Sequence, residues 1–219
     1  MIKIKNVARI YIAILLLMAF VIWTLAIRFV DVKAIGPNES SVGFATLNGF
    51  VHNLTGVHFS LYVITDWLGL VPVCFCFGFA LLGLVQWIRR RKLCKVDYSL
   101  FVLGGFYIVV FVAYLFFEAF PINYRPVLID GYLEASYPSS TTLLVLCVMP
   151  AALMQLDARI QNAVFKKAVG VAIKAFILFM VLGRLLAGVH WLTDIVGGGL
   201  LSLALVETYL FFVNIKART

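Results

Sequence analysis

Six apolar runs, separated by polar or turn-forming stretches, divide the chain. They cover Ile10 to about Phe29, then about Trp67–Trp87, Tyr98–Phe120, Thr142–Leu156, Ala168–Val189 and Leu192–Val213. Runs of about 20 apolar residues are long enough to cross the hydrocarbon core as helices. The fourth is short and carries Pro150, which neighbouring helices can accommodate in a membrane. No small-residue cleavage signal follows the first run, so it reads as an uncleaved first span. Between Val30 and about Asp66 the pattern is mixed, with a turn at Gly36-Pro37-Asn38 and with His52, His58 and aromatics on a moderately apolar background. Such a segment is expected to lie on the membrane surface, helical in part. Asp157 to Lys167 reads as a polar connector. The expected fold is all-α: a polytopic bundle of six spans, one domain over 1–219, with an outer interfacial segment between spans one and two.

Composition sharpens the class. The chain has 219 residues, 63% hydrophobic and 13% charged, with a mean hydropathy of +1.05, which places it among integral membrane proteins. Its formal charge of +8 invites a nucleic-acid reading, but the distribution of that charge excludes one. Lys3, Lys5, Arg9, Arg89, Arg90, Arg91, Lys92, Lys95, Arg159, Lys166, Lys167, Lys216 and Arg218 all fall on the side of the termini. Only Arg28, Lys33, Arg125 and Arg184 fall near the other side, and Lys174 lies within the fifth run. By the positive-inside rule both termini are expected in the cytoplasm. The four cysteines sit in apolar runs or beside a basic cluster, a pattern that suggests packing rather than a disulfide framework or a metal site.

The chemistry gathers at the outer ends of the spans. Arg184, His190 and Asp194 lie where the fifth run gives way to the sixth, and ionisable residues at that depth are functional candidates. His190 and Asp194 are spaced i, i+4, so on a helix the carboxylate would share a face with the imidazole and set its tautomer. Arg184 offers a planar fork suited to phosphate oxygens. A buried polar cluster that only pins two helices explains the triplet equally well. The topology decides between them, because it brings Arg125, Ser139 and Ser140 from two other segments to the same membrane face. Two arginines, small hydroxyls and a His/Asp pair on one face point to phosphoryl chemistry on a histidine.

These residues resemble the type 2 phosphatidic acid phosphatase superfamily, lipid phosphatases related to vanadium haloperoxidases. The family carries three blocks, K-x6-R-P, P-S-G-H and S-R-x5-H-x3-D. Here they read Glu118-x6-Arg125-Pro126, Pro138-Ser139-Ser140-Thr141 and Gly183-Arg184-x5-His190-x3-Asp194. The motif region spans about 98–213. The resemblance implies that His190 forms a phosphohistidine, that Asp194 orients it, and that Arg125 and Arg184 hold the phosphoryl oxygens with Ser139 and nearby amides, Ser140 being a further candidate. It implies no metal or other cofactor.

Three departures set the finer expectations. The lysine of the first block is Glu118, the histidine that protonates the leaving group in the second is Thr141, and the serine of the third is Gly183. Threonine is no general acid near neutral pH. Glu118 and Glu134 are the candidate substitutes, since a carboxyl can take that role. Alternatively the reaction needs little acid, because a phosphate leaving group departs more readily than an alcohol. The expected substrate is therefore a phosphorylated lipid in the bilayer, a polyprenyl diphosphate type favoured over phosphatidate, hydrolysed at the outer face. The alternative is a family member without turnover that binds or translocates a phospholipid headgroup.

Overall fold

The computed structural model describes residues 2–215, with side chains from residue 6 onward. Lys216 and Arg218, counted above toward the inner charge, lie outside the described residues. The helices are α1 (Ile2–Phe29), α2 (Ala45–Thr55), α3 (Phe59–Leu68), α4 (Leu70–Arg90), α5 (Tyr98–Ala119), α6 (Ser140–Asp157), α7 (Ala163–Leu186) and α8 (Leu192–Val213). A short antiparallel pair, β1 (Lys33–Ala34) with β2 (Ser41–Val42), sits between α1 and α2. Among the described residues, six stretches are long and apolar enough to cross a membrane: Asn6–Phe29, Phe59–Arg90, Tyr98–Ala119, Ser140–Asp157, Ala163–Leu186 and Leu192–Val213. The protein is an all-α membrane bundle.

Half of the apolar window of α6 is buried, a larger share than in any other span, which makes α6 the central helix. Its fully buried Val145, Cys147, Val148, Ala151 and Ala152 pack against the surrounding spans. Most other large apolar side chains of the bundle face outward, as expected where lipid is the solvent. Helix α1 runs along α8. Arg9 pairs with Glu207 at 2.7 Å toward the end that carries the termini, and the Trp23 indole N–H donates to the Thr193 carbonyl at 3.1 Å toward the opposite end. At the end that carries the termini, hydrogen bonds from Gln86 and then Arg90 hold the Asp97 carboxyl below the usual carboxylate range.

Two boundaries differ from the sequence expectation, each for a local reason. The second span begins at Phe59 rather than Trp67, because α3 and α4 form one apolar stretch of 32 residues. The joint falls at Gly69, shortly before Pro72, whose ring would crowd the Leu68 carbonyl of a straight helix. The surface segment therefore ends before Phe59, and Thr65-Asp66, which mark its edge in the sequence, lie inside a helix. The fifth span begins at Ala163, because the Asn162 side chain caps the helix by accepting from the Phe165 N–H at 2.9 Å. Lys166 and Lys167 thus belong to the first turns of α7, not to a connector.

The layer opposite the termini fixes the loops that carry the candidate site. The Asp31 carboxylate accepts from the Thr46 N–H at 2.7 Å and caps α2. That bond, joined by Lys33, lowers the Asp31 carboxyl to about 2. Asn48 in α2 donates to the Thr193 hydroxyl at 3.0 Å and accepts from the Thr193 N–H at 3.2 Å, so α2 holds the start of α8. The stretch between α5 and α6 is a small hairpin. Tyr124 bridges Ala135, Ile129 bridges Tyr132, and Asp130-Gly131 turn with φ of 50° and 82°, the left-handed pair expected of an Asp-Gly turn. The hairpin returns through Tyr137, whose ring lies on Gly197 of α8: a Cβ there would come within 2.3 Å of it.

Candidate active site

Four elements meet at the end of the bundle opposite the termini. The hairpin supplies Arg125, Glu134 and Ser136. The start of α6 supplies Ser139 and Ser140, the end of α7 supplies Arg184, and the turn into α8 supplies His190 and Asp194. Arg184, His190 and Asp194 are almost fully buried, with 1%, 3% and 0% of their surface exposed.

The histidine and aspartate do not share a helix face. His190 precedes α8, and Asp194 lies in its first turn, where one carboxylate oxygen accepts from the Trp191 N–H at 2.8 Å. His190 Nδ1 stands 3.8 Å from the Asp194 carboxylate, beyond a hydrogen bond. Ser136 fills the gap: its hydroxyl lies 3.1 Å from Nδ1 and donates to Asp194 Oδ2. With Ser136 donating to the carboxylate, its oxygen accepts from Nδ1–H, which leaves the lone pair on Nε2. Nε2 is buried and has no partner. Sequence reading missed Ser136; its position three residues before Ser139, in a loop of many hydroxyls, gave it no distinguishing signal.

Burial, and secondly the charges of Arg125 and Arg184, push the His190 imidazole well below its ordinary value of 6.5. The neutral, nucleophilic form therefore prevails at neutral pH. Because the folded value is depressed, the unfolded chain binds the extra proton first, so this group stabilises the fold less as pH drops below about 6.5. For reactivity the same shift predicts that the acid limb of kcat/KM attributable to the nucleophile lies well below pH 6.5. A pH profile measured with a substrate whose own ionisation is complete would show it. An acid limb centred at or above the ordinary imidazole value would contradict this environment.

Both guanidiniums are engaged on one side and open on the other. Arg125 pairs with Glu134 across the hairpin, Nε to Oε2 at 3.1 Å, while its Nη1 is buried without a hydrogen-bond partner. Arg184 donates from Nη1 to the Thr65 hydroxyl at 3.3 Å and pairs through Nη2 with Asp66 at 3.6 Å, leaving Nε unpartnered. The Tyr62 ring lies against both, 5.8 Å from the Arg125 and 5.1 Å from the Arg184 guanidinium carbon. Buried N–H groups without partners in an otherwise satisfied site suit an anionic ligand. Tyr62, Thr65 and Asp66 were hidden in the sequence, where they read as the margin of a surface segment.

The hydroxyls and acids separate by role. Ser139 is fully buried and its oxygen caps α6, accepting from the Thr142 hydroxyl at 3.0 Å and the Thr142 N–H at 3.5 Å. Its own N–H donates to the Asp194 carbonyl at 3.1 Å. Ser140 lines the narrow cleft that holds His190, together with Ser136, Tyr114 and Glu118. Glu118 is exposed and shares that cleft with His190, whereas Glu134 is paired with Arg125. Thr141 faces a second, larger cavity of about 630 Å³, walled by apolar residues of α4, α5 and α6 such as Phe77, Val110 and Leu144. Tyr114, Ser140 and Leu143 border both, so the cavity adjoins the cleft. Among the described residues, no group of three His, Cys, Asp or Glu side chains is placed to hold a metal ion.

A family model described as the PAP2 superfamily matches residues 98–217. Among solved structures, the chain is similar to the crystal structure of the first transmembrane PAP2 type phosphatidylglycerolphosphate phosphatase from Bacillus subtilis. The TM-score is 0.60 at 17% identity, covering 93% of this chain and 96% of that one. At that identity the likeness is one of fold, over most of the chain. No curated protein sequence matches the chain.

Proposed function

The chain belongs to the PAP2 superfamily, and we propose that it is a membrane lipid phosphatase acting through a phosphohistidine on His190. One observation carries the reading: the free Nε2 of a neutral, buried histidine lies beside two arginines with unpartnered N–H groups, next to a cavity of about 630 Å³ with apolar walls. A headgroup phosphate in the cleft and a lipid chain in the cavity would use both.

In this mechanism Nε2 attacks phosphorus and the bond from phosphorus to the leaving oxygen breaks. The Nδ1 proton stays on the ring, held through Ser136 and Asp194. Arg125 and Arg184 stabilise charge on the equatorial oxygens, where most of the catalysis in phosphoryl transfer resides. Water then attacks the phosphohistidine, releasing inorganic phosphate and regenerating Nε2. Ser140 is placed to donate to the phosphoryl group, while Ser139 orders the start of α6 at a gain of roughly 1 kcal/mol for such a cap. No step draws on a metal or cofactor.

The leaving group sets substrate preference. Thr141 faces the apolar cavity and supplies no acid, which leaves Glu118, in the cleft with His190, as the candidate proton donor. A lipid diphosphate expels its lipid monophosphate, a weaker base than an alkoxide, and so demands least of that acid. Polyprenyl diphosphate-type lipids are therefore favoured over phosphatidate. The test is phosphate release by purified protein from each lipid, with His190→Ala and Glu118→Gln alongside. Faster release from the diphosphate, with Glu118→Gln slowing phosphatidate more than the diphosphate, is the expected result. Faster turnover of phosphatidate would remove the leaving-group argument. Binding of both lipids without release would establish the headgroup-binding alternative instead.

Orientation completes the proposal: the termini face the cytoplasm and the site faces outward. The basic residues of the α4–α5 turn and the α6–α7 turn support it by the positive-inside rule. An impermeant thiol reagent on intact cells should label Asp130→Cys in the hairpin and leave the native, exposed Cys94 of the α4–α5 turn untouched. Labelling of Cys94 alone would reverse the topology.

A further inference from the structure

We propose that α3 is the positioning element of the phosphate site, and that Thr65 and Gly183 are a matched pair that aims Arg184. The inference rests on the phosphatase reading and deepens it, by adding residues that fix where the guanidiniums point.

Tyr62, Thr65 and Asp66 are spaced i, i+3 and i+4, so they share one face of α3. All three meet Arg184. The Thr65 hydroxyl donates to the Leu61 carbonyl at 2.8 Å, which turns its lone pairs toward the Arg184 Nη1 at 3.3 Å. Asp66 holds the second terminal nitrogen, and the Tyr62 ring supports the guanidinium plane. Thr65 takes one N–H of Nη1 and Asp66 draws Nη2 as an ion pair, while the buried Nε has no hydrogen-bond partner and is free for a ligand. The same ring also lies against Arg125. Two like charges are thus held around one aromatic ring, where the quadrupole favours each of them. A dianionic phosphoryl group is the ligand that two such cations suit.

Gly183 makes the arrangement possible. A Cβ at this position would stand 2.8 Å from the Thr65 methyl group, so one of the two would have to move. Thr65 has no exposed surface and is pinned to the Leu61 and Tyr62 carbonyls, which leaves it little freedom. The glycine that departs from the family's third block is therefore where α7 admits the side chain of α3. Serine at 183 would push Thr65, and with it the partner of Arg184, out of register.

The test compares Thr65→Val, Thr65→Ser, Gly183→Ser and the double variant Thr65→Ser/Gly183→Ser. Two readouts are used: kcat/KM on the lipid, and the inhibition constant of inorganic phosphate. Thr65→Val keeps the shape and removes the acceptor, so phosphate inhibition should weaken about 10-fold and kcat/KM should fall by a similar factor, roughly one charge-assisted hydrogen bond. Thr65→Ser keeps the hydroxyl and should stay within about 3-fold of wild type, since only the methyl group is lost. Gly183→Ser should lose about 10-fold or more alone, and Thr65→Ser should restore most of it by removing the methyl group, a non-additivity expected only of residues in contact. Melting temperatures of the detergent-solubilised variants separate misfolding from mispositioning. Wild-type phosphate inhibition in Thr65→Val, or additive losses in the double variant, would overturn the pairing. Absence of lipid turnover by the wild type would instead sink the phosphatase reading, while phosphate binding could still report on Thr65.

Discussion

His190→Ala loses phosphate release from every lipid substrate by at least about 10⁴-fold, the scale seen when a catalytic nucleophile is removed. The expectation follows from position more than from residue type. His190 Nε2 is the unpartnered nitrogen in the cleft, and His52 and His58 cannot replace it. The His52 ring tilts against Trp191 at 5.5 Å, and His58 Nε2 is taken by the Thr55 carbonyl at 2.9 Å. The intermediate gives a second readout. Radiolabelled phosphate trapped on the wild-type protein by rapid quenching should be lost in acid and survive alkali, as a phosphorus–nitrogen bond does, and should be absent from His190→Ala. Label of the opposite stability would place the phosphoryl group on an oxygen nucleophile. Turnover in His190→Ala within 10-fold of wild type would end the mechanism.

Arg184→Lys, usually a mild change, should cost about 10²–10³-fold in kcat/KM, since an arginine on a transferring phosphoryl group is worth that or more. A lysine ammonium has no planar fork, so it cannot hold Thr65 and Asp66 while presenting a third N–H at the angle of Nε. Arg184 is 1% exposed and its terminal nitrogens are held by Thr65 and Asp66, so a lysine that loses this geometry leaves the phosphoryl charge to Arg125 alone. The loss should fall mainly on kcat if Arg184 acts in the transition state, and mainly on KM if it only holds the ground state. A variant within 3-fold of wild type would show that Arg184 merely joins α7 to α3. Arg125→Lys should be less harmful, because Arg125 makes a single ion pair, with the part-exposed Glu134, and a longer contact to the Tyr62 ring, and keeps more freedom to adjust.

The sequence by itself determined the class, the span count and the end of the bundle that carries the chemistry. Hydropathy does this because a membrane requires whole helices of a set length. It also brought together Arg184, His190 and Asp194, whose spacing keeps them local, and Arg125, which an Arg-Pro step places just beyond the third span. What it missed depends on contacts between elements. Ser136 lies between His190 and Asp194 because the hairpin returns across α8 over Gly197. Ser139 caps α6 while its neighbour Ser140 lines the cleft, a distinction set by one residue of helix phase. Glu134 is paired by the cross-strand register of a hairpin that read only as a polar loop.

Thr65-Asp66 is the clearest case. In the sequence, a polar pair beside an apolar run marks the edge of a membrane span. In the folded chain the same pair lies within the second span and holds Arg184. Local pattern tells which residues are polar and how they are phased along their own helix. Whether a polar residue meets water or a buried guanidinium is decided by which helix packs against it, here α7 where Gly183 lets α3 approach. Hydrogen bonds are made or lost within about half an ångström, a tolerance that only tertiary packing sets.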